Sequence, residues 1–515
     1  MIRSNEFGPK QSGVRVLRRF VTDDSFGGTN DEYLSIKDKW RCRIYARNGQ
    51  MSREEQGIWY QTTHRVIGKL TGLTPELQRD DRLEETTYIR GQALVALYEV
   101  KGVDFPRRRN WTRRDPELIQ ADLVLLQPAT IVVPAVESYT TSTTPTIVGQ
   151  PSVSTTFPRL LNYYLPGVVT DTEALARWDV VVVSTTVSEA QIAELRAFNP
   201  NIIILAYLGG IYTYYYAGGV PDTNIAFWQG VWQAANAGDW WLLRTDGSHV
   251  SSSTNMWNID VTANCKLDGS GKRYSSWFPQ YVREQLFDAH PGLYDGVFFD
   301  NCFDSISYLN NAQPFGIDTD RNGIAEDSLT LGLLWSAGMA VMMNALRTEL
   351  GDGRFILANG PNSYATIDGN MIEDFPRNFT ASDTTALWDT WGVSGPYSLA
   401  RNKSFYRQPL LNMVNAGAVA NDTGNAEFER HKRLTFASAL LFDALYSLDK
   451  SPSTHGDLWY QPEYDYELGA ALGVALVLGT GIWMRSFEHG TVEVNPTGSV
   501  VDGIQPLDGR ITVTA

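Results

Sequence analysis

From residue 157 onward, short apolar runs alternate with longer segments in which apolar residues recur every three or four positions. The runs cover 160–165, 180–183 and 201–207, and the segments between them cover 171–178 and 188–198. Uniformly apolar runs are typical of parallel strands covered on both faces, and the recurrence at three or four positions is typical of helices. The pattern therefore predicts alternating strands and helices.

The same alternation continues toward the C-terminus. Five more strands are predicted at 295–300, 354–359, 369–373, 409–414 and 443–447, with long helices at 329–350 and 426–442. Eight strands with interleaved helices predict a (β/α)8 TIM barrel with insertions over residues 157–470. A doubly wound open sheet is the alternative, but its glycine-rich phosphate-binding motifs do not follow the early strands.

The two ends of the chain read differently from the barrel region. Residues 1–128 alternate polar and apolar residues in short runs, interrupted by one predicted helix at 52–61, and this predicts a small β-barrel or sandwich. Residues 129–156 are rich in Thr, Ser, Pro and Val and predict an extended linker, with an edge or exchanged strand as the alternative. Residues 471–515 predict a small β-rich extension with a hairpin turning at His489 and Gly490.

Composition agrees with a folded protein of more than one domain. The 515 residues are 43% hydrophobic and 20% charged, and the net charge is −15. Residues 1–128 carry 22 basic and 18 acidic residues, so the acidic excess lies in the rest of the chain, which favours neutral polysaccharide over nucleic acid as its partner. Three scattered cysteines predict neither a disulfide framework nor a zinc site, and the N-terminus lacks the apolar segment of a signal peptide.

Two carboxylates close apolar strands of the predicted barrel. Asp300 ends DGVFFD and Glu373 ends GNMIE, and in this fold the carboxyl ends of the strands carry the active site. Glycoside hydrolysis needs such a pair within roughly 5–9.5 Å. As an alternative to catalysis, Asp300 could cap the following loop or pair with an arginine. Asp374, next to Glu373, could be the catalytic acid in its place. Asp295 begins its strand and is predicted to be structural.

Other polar and aromatic residues lie at or after the ends of the predicted barrel strands. Asparagine amides donate to sugar hydroxyls, and aromatic rings stack on the apolar faces of sugars. As alternatives, the asparagines could be ordinary turn residues and the aromatic residues could belong to a hydrophobic core. The predicted substrate contacts are Asn301, Asn359, Asn362, Asp374, Tyr207, Trp257 and Trp459.

An acidic loop lies between Asp300 and the next long helix. Its oxygen-bearing residues alternate and a glycine stands sixth, as in a calcium loop, although the twelfth position is Leu329. A Ca²⁺-ordered loop and a solvated acidic turn are both left open. The predicted ligands are Asp318, Asp320, Asn322, Ile324 and Asp327. No other cofactor is expected.

The sequence blocks of the barrel region, taken in order, resemble a known family. YDGVFFDN, RFILANG, NMIEDFP, LWYQPEYDYELG and GIWMRSFEHGTVEVNP look like the glycoside hydrolases related to the endo-α-1,4-polygalactosaminidase barrels, over about residues 160–500. The resemblance implies a barrel acting on polysaccharide, or descended from enzymes that do. The resemblance also implies that the family's aspartate at the end of a strand is Asp300 and that its glutamate at the end of a strand is Glu373.

Residues 12–128 resemble the head–tail joining, or head-completion, proteins of tailed bacteriophages. The matching segments are 40–47, 63–66, 81–83 and 98–100, followed by 122–124. The resemblance implies a ring-forming virion protein, made in the host cytoplasm, whose partners are portal, adaptor or tail proteins. An insertion with five arginines around Trp111, from Arg107 to Arg114, predicts either DNA contact or a loop between subunits.

Together these observations leave three hypotheses. The first is a bacteriophage connector protein whose barrel binds or hydrolyses bacterial surface polysaccharide. The second is a purely structural virion component with a catalytically silent, lectin-like barrel. The third is a bacterial polysaccharide hydrolase with an unrelated N-terminal domain.

Overall fold

The computed structural model divides into two compact units, Met1–Ser142 and Thr143–Ala515. In the second unit it describes residues 153–514 apart from 215–225, 253–255, 312–314, 377–383, 418–424 and 451–454. In the first unit it describes the backbone of nine strands. The arginine-rich insertion at 107–114 and residues 133–152 of the predicted linker lie outside the described residues.

The described strands of the first unit pair antiparallel. They are β1 (Gly13–Asp23), β2 (Thr29–Trp40), β3 (Cys42–Ala46), β4 (Met51–Arg53), β5 (Trp59–Gln61), β6 (His64–Lys69), β7 (Arg82–Ile89), β8 (Gln92–Asp104) and β9 (Leu118–Val132). Seven of them form one sheet in the order β2-β1-β7-β8-β9-β6-β3. Its closure into a barrel or sandwich stays a prediction.

Two details of the first unit differ from the sequence prediction. The helix predicted at 52–61 is wrong, because β4 and β5 pair antiparallel there. Trp and Tyr, two of the three residue types in β5, have a high propensity for strands. Strand β9 also continues into residues 129–132, which the linker prediction had included.

The second unit is built on an eight-stranded parallel barrel, which confirms the fold predicted for this region. Its strands are β11 (Leu161–Tyr164), β12 (Val180–Val183), β13 (Ile203–Leu208), β16 (Gly296–Phe299), β17 (Phe355–Asn359), β18 (Gly369–Glu373), β19 (Met413–Gly417) and β20 (Leu445–Asp449). They are paired in chain order. A parallel bridge between Leu160 and Tyr446 brings the first and last strands together.

Helices follow most of the barrel strands. They are α1 (Thr172–Leu175), α2 (Glu189–Phe198), α3 (Ala226–Gly238), α4 (Tyr274–Val282), α5 (Ser307–Asn311), α6 (Ser328–Leu350), α7 (Thr384–Asp389), α8 (Leu399–Phe405) and α9 (Ala426–Leu441). Segments Arg283–Asp288 and Thr390–Ser394 are π-helical, and Pro462–Asp465 is a 3₁₀ turn. The predicted cap Ser188 accepts a hydrogen bond from the Gln191 backbone N–H and begins α2.

Helix α6 is long and apolar enough, by length and composition, to cross a membrane. More than half of it is buried inside the unit, including Trp335 and Met339. Such burial is typical of a core helix of a globular protein.

The barrel strands are covered on both faces, which explains their uniformly apolar sequence. Side chains such as Val182, Leu205 and Leu357 form a cluster inside the barrel. Their neighbours Val181, Ile204 and Ile356 belong to the larger cluster between the strands and the helices. Alternate residues of each strand therefore fill two separate cores.

The remaining strands lie in insertions and at the C-terminus. They are β10 (Thr156–Phe157), β14 (Tyr212–Tyr214), β15 (Met256–Asn258), β21 (Gly469–Ala470), β22 (Leu476–Val477), β23 (Trp483–Phe487), β24 (Gly490–Asn495) and β25 (Asp508–Val513). Strands β23 and β24 form the predicted hairpin and are joined by β22 and β25 in a four-stranded sheet. This sheet contacts α9, where Arg433 binds Asp508 with two hydrogen bonds.

Candidate active site

The two predicted carboxylates lie at the same end of the barrel and share a hydrogen-bond donor. Asp300 follows β16 and Glu373 ends β18, and the strand between them, β17, ends at Asn359. The Asn359 side-chain Nδ2 lies 2.9 Å from Asp300 Oδ1 and 3.2 Å from Glu373 Oε2. These two oxygens are therefore separated by at most 6.1 Å, the total of the two distances. This separation is compatible with a glycosidase pair.

Asp300 accepts hydrogen bonds from neutral groups. The Tyr207 hydroxyl donates to Oδ2 at 2.7 Å, and Asn301 donates its backbone N–H to Oδ1 at 2.8 Å and its side-chain Nδ2 to Oδ2 at 3.0 Å. Asn301 has a φ of 57°, a left-handed conformation that asparagine tolerates better than most residues. Together with Asn359, these donors hold the carboxylate in one orientation.

A row of aromatic side chains supports Asp300 from the interior. The Tyr207 hydroxyl lies 2.8 Å from that of Tyr212, and the Tyr207 ring is stacked on Phe298. Burial and the negative charge of Asp300 raise the pKa of Tyr207 well above its ordinary value. The phenol therefore stays neutral and keeps its proton for Asp300.

Gly210 packs directly against the ring of Phe299, the residue before Asp300. A Cβ atom on Gly210 would lie 1.9 Å from the Phe299 ring, so this position accommodates only a residue without a side chain. Phe299 is fully buried and immediately precedes Asp300. Glycine at position 210 therefore leaves the space that the Phe299 ring occupies.

Glu373 is a partly buried acid with a perturbed affinity for protons. Burial raises the pKa of Glu373, the Asn359 hydrogen bond opposes the rise, and the negative charge of Asp300 adds to it. The net result is a raised pKa. A carboxyl group of this kind holds its proton to higher pH than an exposed glutamate, as a general acid must.

The structure adds a histidine that sequence reasoning missed. His455 Nε2 lies 3.5 Å from Glu373 Oε1, and His455 Nδ1 lies 2.9 Å from Asp449 Oδ2. Asn415 donates to the same Asp449 oxygen at 2.9 Å. Asp449 is the last residue of β20, as Glu373 is the last residue of β18. The strand was predicted to end at residue 447, so Asp449 was not recognised as a carboxylate at the end of a strand.

Asp374, the predicted rival of Glu373, is placed differently. Its backbone is left-handed, with a φ of 55°, and its side chain is exposed. Its charge contributes to the raised pKa of Glu373. Glu373, by contrast, shares Asn359 with Asp300, which makes it the partner of Asp300 in the candidate pair.

Asn362, a predicted substrate contact, lies in the loop after β17, and its contact with a substrate stays a prediction. The side chain is fully buried, donates to the Gly360 carbonyl and to Asn370, and accepts from the Tyr406 hydroxyl. These hydrogen bonds satisfy the buried amide group of Asn362, which would otherwise destabilise the folded state.

The two predicted tryptophan contacts belong to local aromatic clusters. Trp257 is stacked on His249 with ring centroids 3.7 Å apart, and Trp459 is stacked on Phe428 of α9 at 5.3 Å. Both side chains are partly exposed. Sugar contact by either ring stays a prediction.

The acidic loop places three carboxylates together, but not the predicted three. Ligand oxygens of Asp318, Asp320 and Glu326 lie within 4.8 Å of one another. Asp327, predicted to close the site, instead caps α6 by accepting from the backbone N–H groups of Leu329 and Thr330.

The rest of the predicted calcium loop is tied by local hydrogen bonds. The Asn322 side chain donates to Asp320 and accepts from the Ile324 backbone N–H. Calcium binding at this loop stays a prediction.

The chain is similar to one family of proteins and to solved structures. No curated protein matches the chain. Among solved structures, it is similar to the ligand-free cyclic α-maltosyl-(1→6)-maltose hydrolase from Arthrobacter globiformis, with 14% identity and a TM-score of 0.35, over 66% of this chain and 86% of that chain.

A family model described as hypothetical glycosyl hydrolase family 15 matches residues 196–491. The matched region is more than half of the chain and includes Asp300, Glu373 and His455. The chain therefore belongs to hypothetical glycosyl hydrolase family 15.

Proposed function

We propose that the barrel hydrolyses O-glycosidic bonds of a bacterial surface polysaccharide, with Asp300 and Glu373 as the catalytic pair. The observation that carries the proposal is the single Asn359 amide nitrogen that binds both carboxylates. The two oxygens that share this donor are at most 6.1 Å apart, and retaining enzymes hold their two carboxyl groups roughly 5–5.5 Å apart. Retention of anomeric configuration is part of this proposal.

The surroundings of the two acids assign their roles. Asp300, oriented by neutral donors, forms a bond to the anomeric carbon while the bond to the leaving oxygen breaks. Glu373, whose pKa is raised, gives its proton to that oxygen. Glu373 then takes a proton from water, the water oxygen bonds to the anomeric carbon, and Asp300 is released as a carboxylate.

An exposed aromatic ring is suited to hold a sugar beside Asp300. Tyr308, on α5, is 52% exposed and packs edge-on against Phe303. Burial of the phenol group and the negative charge of Asp300 raise the pKa of Tyr308. An aromatic platform at this position would stack on the apolar face of a bound sugar.

The direct test is release of reducing sugar from bacterial capsule and lipopolysaccharide. Wild-type protein is compared with Asp300→Asn and Glu373→Gln, and Asp374→Asn serves as the neighbouring control. We expect turnover to be lost in the first two variants and kept in the third, with the newly formed anomer, followed by proton NMR, matching the substrate.

Two other outcomes would redirect the proposal. Loss of turnover in Asp374→Asn with activity kept in Glu373→Gln would exchange the roles of these two acids. Glycan binding without turnover by the wild type would favour the lectin-like alternative.

The placement of the protein in a virion is a separate proposal. It rests on the resemblance of residues 12–128 to head–tail joining proteins, and the family match to residues 196–491 does not extend to it. Purified full-length protein is expected to form a ring that binds portal or tail proteins, as measured by analytical ultracentrifugation and electron microscopy. A monomer that binds neither would favour a bacterial polysaccharide hydrolase.

We further propose that Ca²⁺ orders the acidic loop through Asp318, Asp320 and Glu326. Carboxylate oxygens are the ligands that calcium prefers, and these three converge. The hydrolysis itself requires no cofactor.

A further inference from the structure

His455 links two strand-end carboxylates of the barrel. Its Nδ1 lies 2.9 Å from Asp449 Oδ2, so this nitrogen carries a proton and donates it to the carboxylate. Its Nε2 faces Glu373 Oε1 at 3.5 Å. The ring also packs against Tyr163, with centroids 4.4 Å apart. Contacts on opposite sides of the imidazole therefore hold it against Glu373.

The groups that face His455 are predominantly acidic. Asp449 on β20 and Glu373 on β18 contact it, and Asp300 after β16 acts on it through space. The phenol of Tyr163 on β11 is neutral, because burial raises its pKa well above the ordinary value. The ammonium group of Lys450, next to Asp449, lies over the Trp459 ring.

Burial by itself favours the neutral form of the His455 imidazole, but the effect of the neighbouring carboxylates on its pKa is larger than that of burial. Burial lowers the pKa of His455, whereas the Asp449 hydrogen bond and the negative charges of Asp449, Glu373 and Asp300 raise it. The net pKa is raised, which favours the imidazolium form. An imidazolium 3.5 Å from Glu373 stabilises the carboxylate of that residue and opposes the effect of burial and of Asp300.

We propose that His455, anchored by Asp449, is a positioning residue that limits the proton affinity of Glu373, so that Glu373 can act first as acid and then as base. This inference rests on the proposed function of Glu373 as the acid–base group. A retaining cycle needs both forms of one carboxyl group, the acid when the leaving group departs and the carboxylate when water attacks. Burial and Asp300 favour the acid, and His455 restores the carboxylate.

The first test measures the coupling directly and needs no substrate. Imidazole resonances are followed by NMR against pH in the full-length protein, with His455 assigned from a His455→Gln variant. Because coupling between two titrating groups is reciprocal, Glu373→Gln should lower the pKa of His455 by at least about one unit, and Asp449→Asn should lower it as well.

A matched control uses another histidine–carboxylate pair of the same unit. Glu189 is the exposed partner of His290, so Glu189→Gln should leave the titration of His455 unchanged. The same His455 titration in wild type and Glu373→Gln would overturn the proposal, even if Asp449→Asn failed to fold.

The second test uses pH profiles of turnover. In His455→Gln the alkaline limb of kcat/KM should move upward by about one pH unit, because Glu373 keeps its proton longer. The deglycosylation step should slow, so kcat should fall more than kcat/KM and KM should decrease. A merely structural role would lower kcat/KM without moving the limb, and that result would overturn the proposal.

The two tests separate this inference from the proposed function. If the wild type cleaves no polysaccharide, the proposed function fails, while the NMR titration still decides whether His455 and Glu373 are coupled. If turnover depends on Glu373 but the NMR coupling is missing, the proposed function stands and the role of His455 is refuted.

Discussion

Asp295 and Asp300 flank the same strand, β16, and their carboxylates lie in different electrostatic settings. Asp295 accepts from Arg196 Nη2 at 3.0 Å and from the Ile204 backbone N–H at 2.8 Å. Asp300 accepts from Tyr207, Asn301 and Asn359, all of them neutral. The acid at the start of the strand is paired with a cation, as expected for a structural role, whereas the described partners of the acid at its end carry no charge.

This contrast predicts opposite effects of removing the two acids. Asp295→Ala should lower the free energy of unfolding by about 2–3 kcal/mol, because it leaves the Arg196 charge without its partner, and should keep the activity of the folded fraction. Asp300→Asn should keep the stability and lower kcat by about 10⁴-fold. Urea titration and initial rates measured on the same preparations check both, and equal stability losses would refute the contrast.

Asn359, at the end of β17, and Asn362, in the loop that follows, offer a second matched pair. Asn359→Ala removes the donor shared by the catalytic acids, so kcat/KM should fall about a hundredfold with little change in stability. The pKa of Glu373 should also rise, since the Asn359 hydrogen bond lowers it, and the alkaline limb of the pH profile should move upward. Unchanged kcat/KM would remove Asn359 from the site.

Asn362→Ala is the control for that variant. Its buried side chain makes hydrogen bonds to Asn370 and Tyr406, so the free energy of unfolding should decrease by about 2–3 kcal/mol, as measured by urea titration. The pH profile of the folded fraction should be unchanged.

Glu373 should cost stability at neutral pH. Its pKa is raised in the folded state, so ionisation favours the unfolded chain, and the penalty grows as pH rises from the ordinary glutamate value through the raised one. Glu373→Gln should therefore raise Tm at pH 7 by about 1–2 °C, with the gain disappearing at pH values below about 4. Calorimetry across this range checks the sign, and a gain limited to acidic pH would contradict it.

The acidic loop predicts a calcium response that depends on Glu326 and not on Asp327. Added Ca²⁺ should raise Tm in the wild type and chelation should reverse the rise, because the ion binds the folded state. Glu326→Gln should abolish the response. Asp327→Asn should keep it, since Asp327 caps α6 and asparagine is an equally good cap. If Asp327→Asn also abolished the Ca²⁺-dependent rise in Tm, Asp327 would be a calcium ligand after all.

Differential scanning fluorimetry with Ca²⁺ and with Mg²⁺ checks the calcium prediction. The wild type is expected to respond more strongly to Ca²⁺, because irregular oxygen clusters accommodate the larger ion better. Equal Tm values with and without Ca²⁺ would identify the loop as a solvated acidic turn.

Much of the barrel could be predicted from local sequence. Parallel strands such as Val180–Val183 are covered on both faces, so they are continuously apolar and easily recognised. The same logic placed Asp300 and Glu373 at the carboxyl ends of β16 and β18. Local propensity was less informative at 52–61, where pairing between β4 and β5 decided the structure.

The role of a polar side chain was harder to predict because it depends on its neighbours. Asn359 and Asn362 are three residues apart and look equivalent in the sequence. The first binds two catalytic candidates, and the second is buried beneath the loop. Likewise Glu326 and Asp327 are adjacent, yet one faces Asp318 and Asp320 and the other caps α6.

The sequence by itself determined the barrel, its strand order and the two acids at its mouth, because hydrophobic periodicity and strand ends are local properties. Only the tertiary structure decided that Asn359 joins those acids and that His455, 82 positions after Glu373, lies beside one of them. Closure of the barrel brings β18 and β20 to the same mouth, and the charges of a site act through space at distances that sequence separation does not encode.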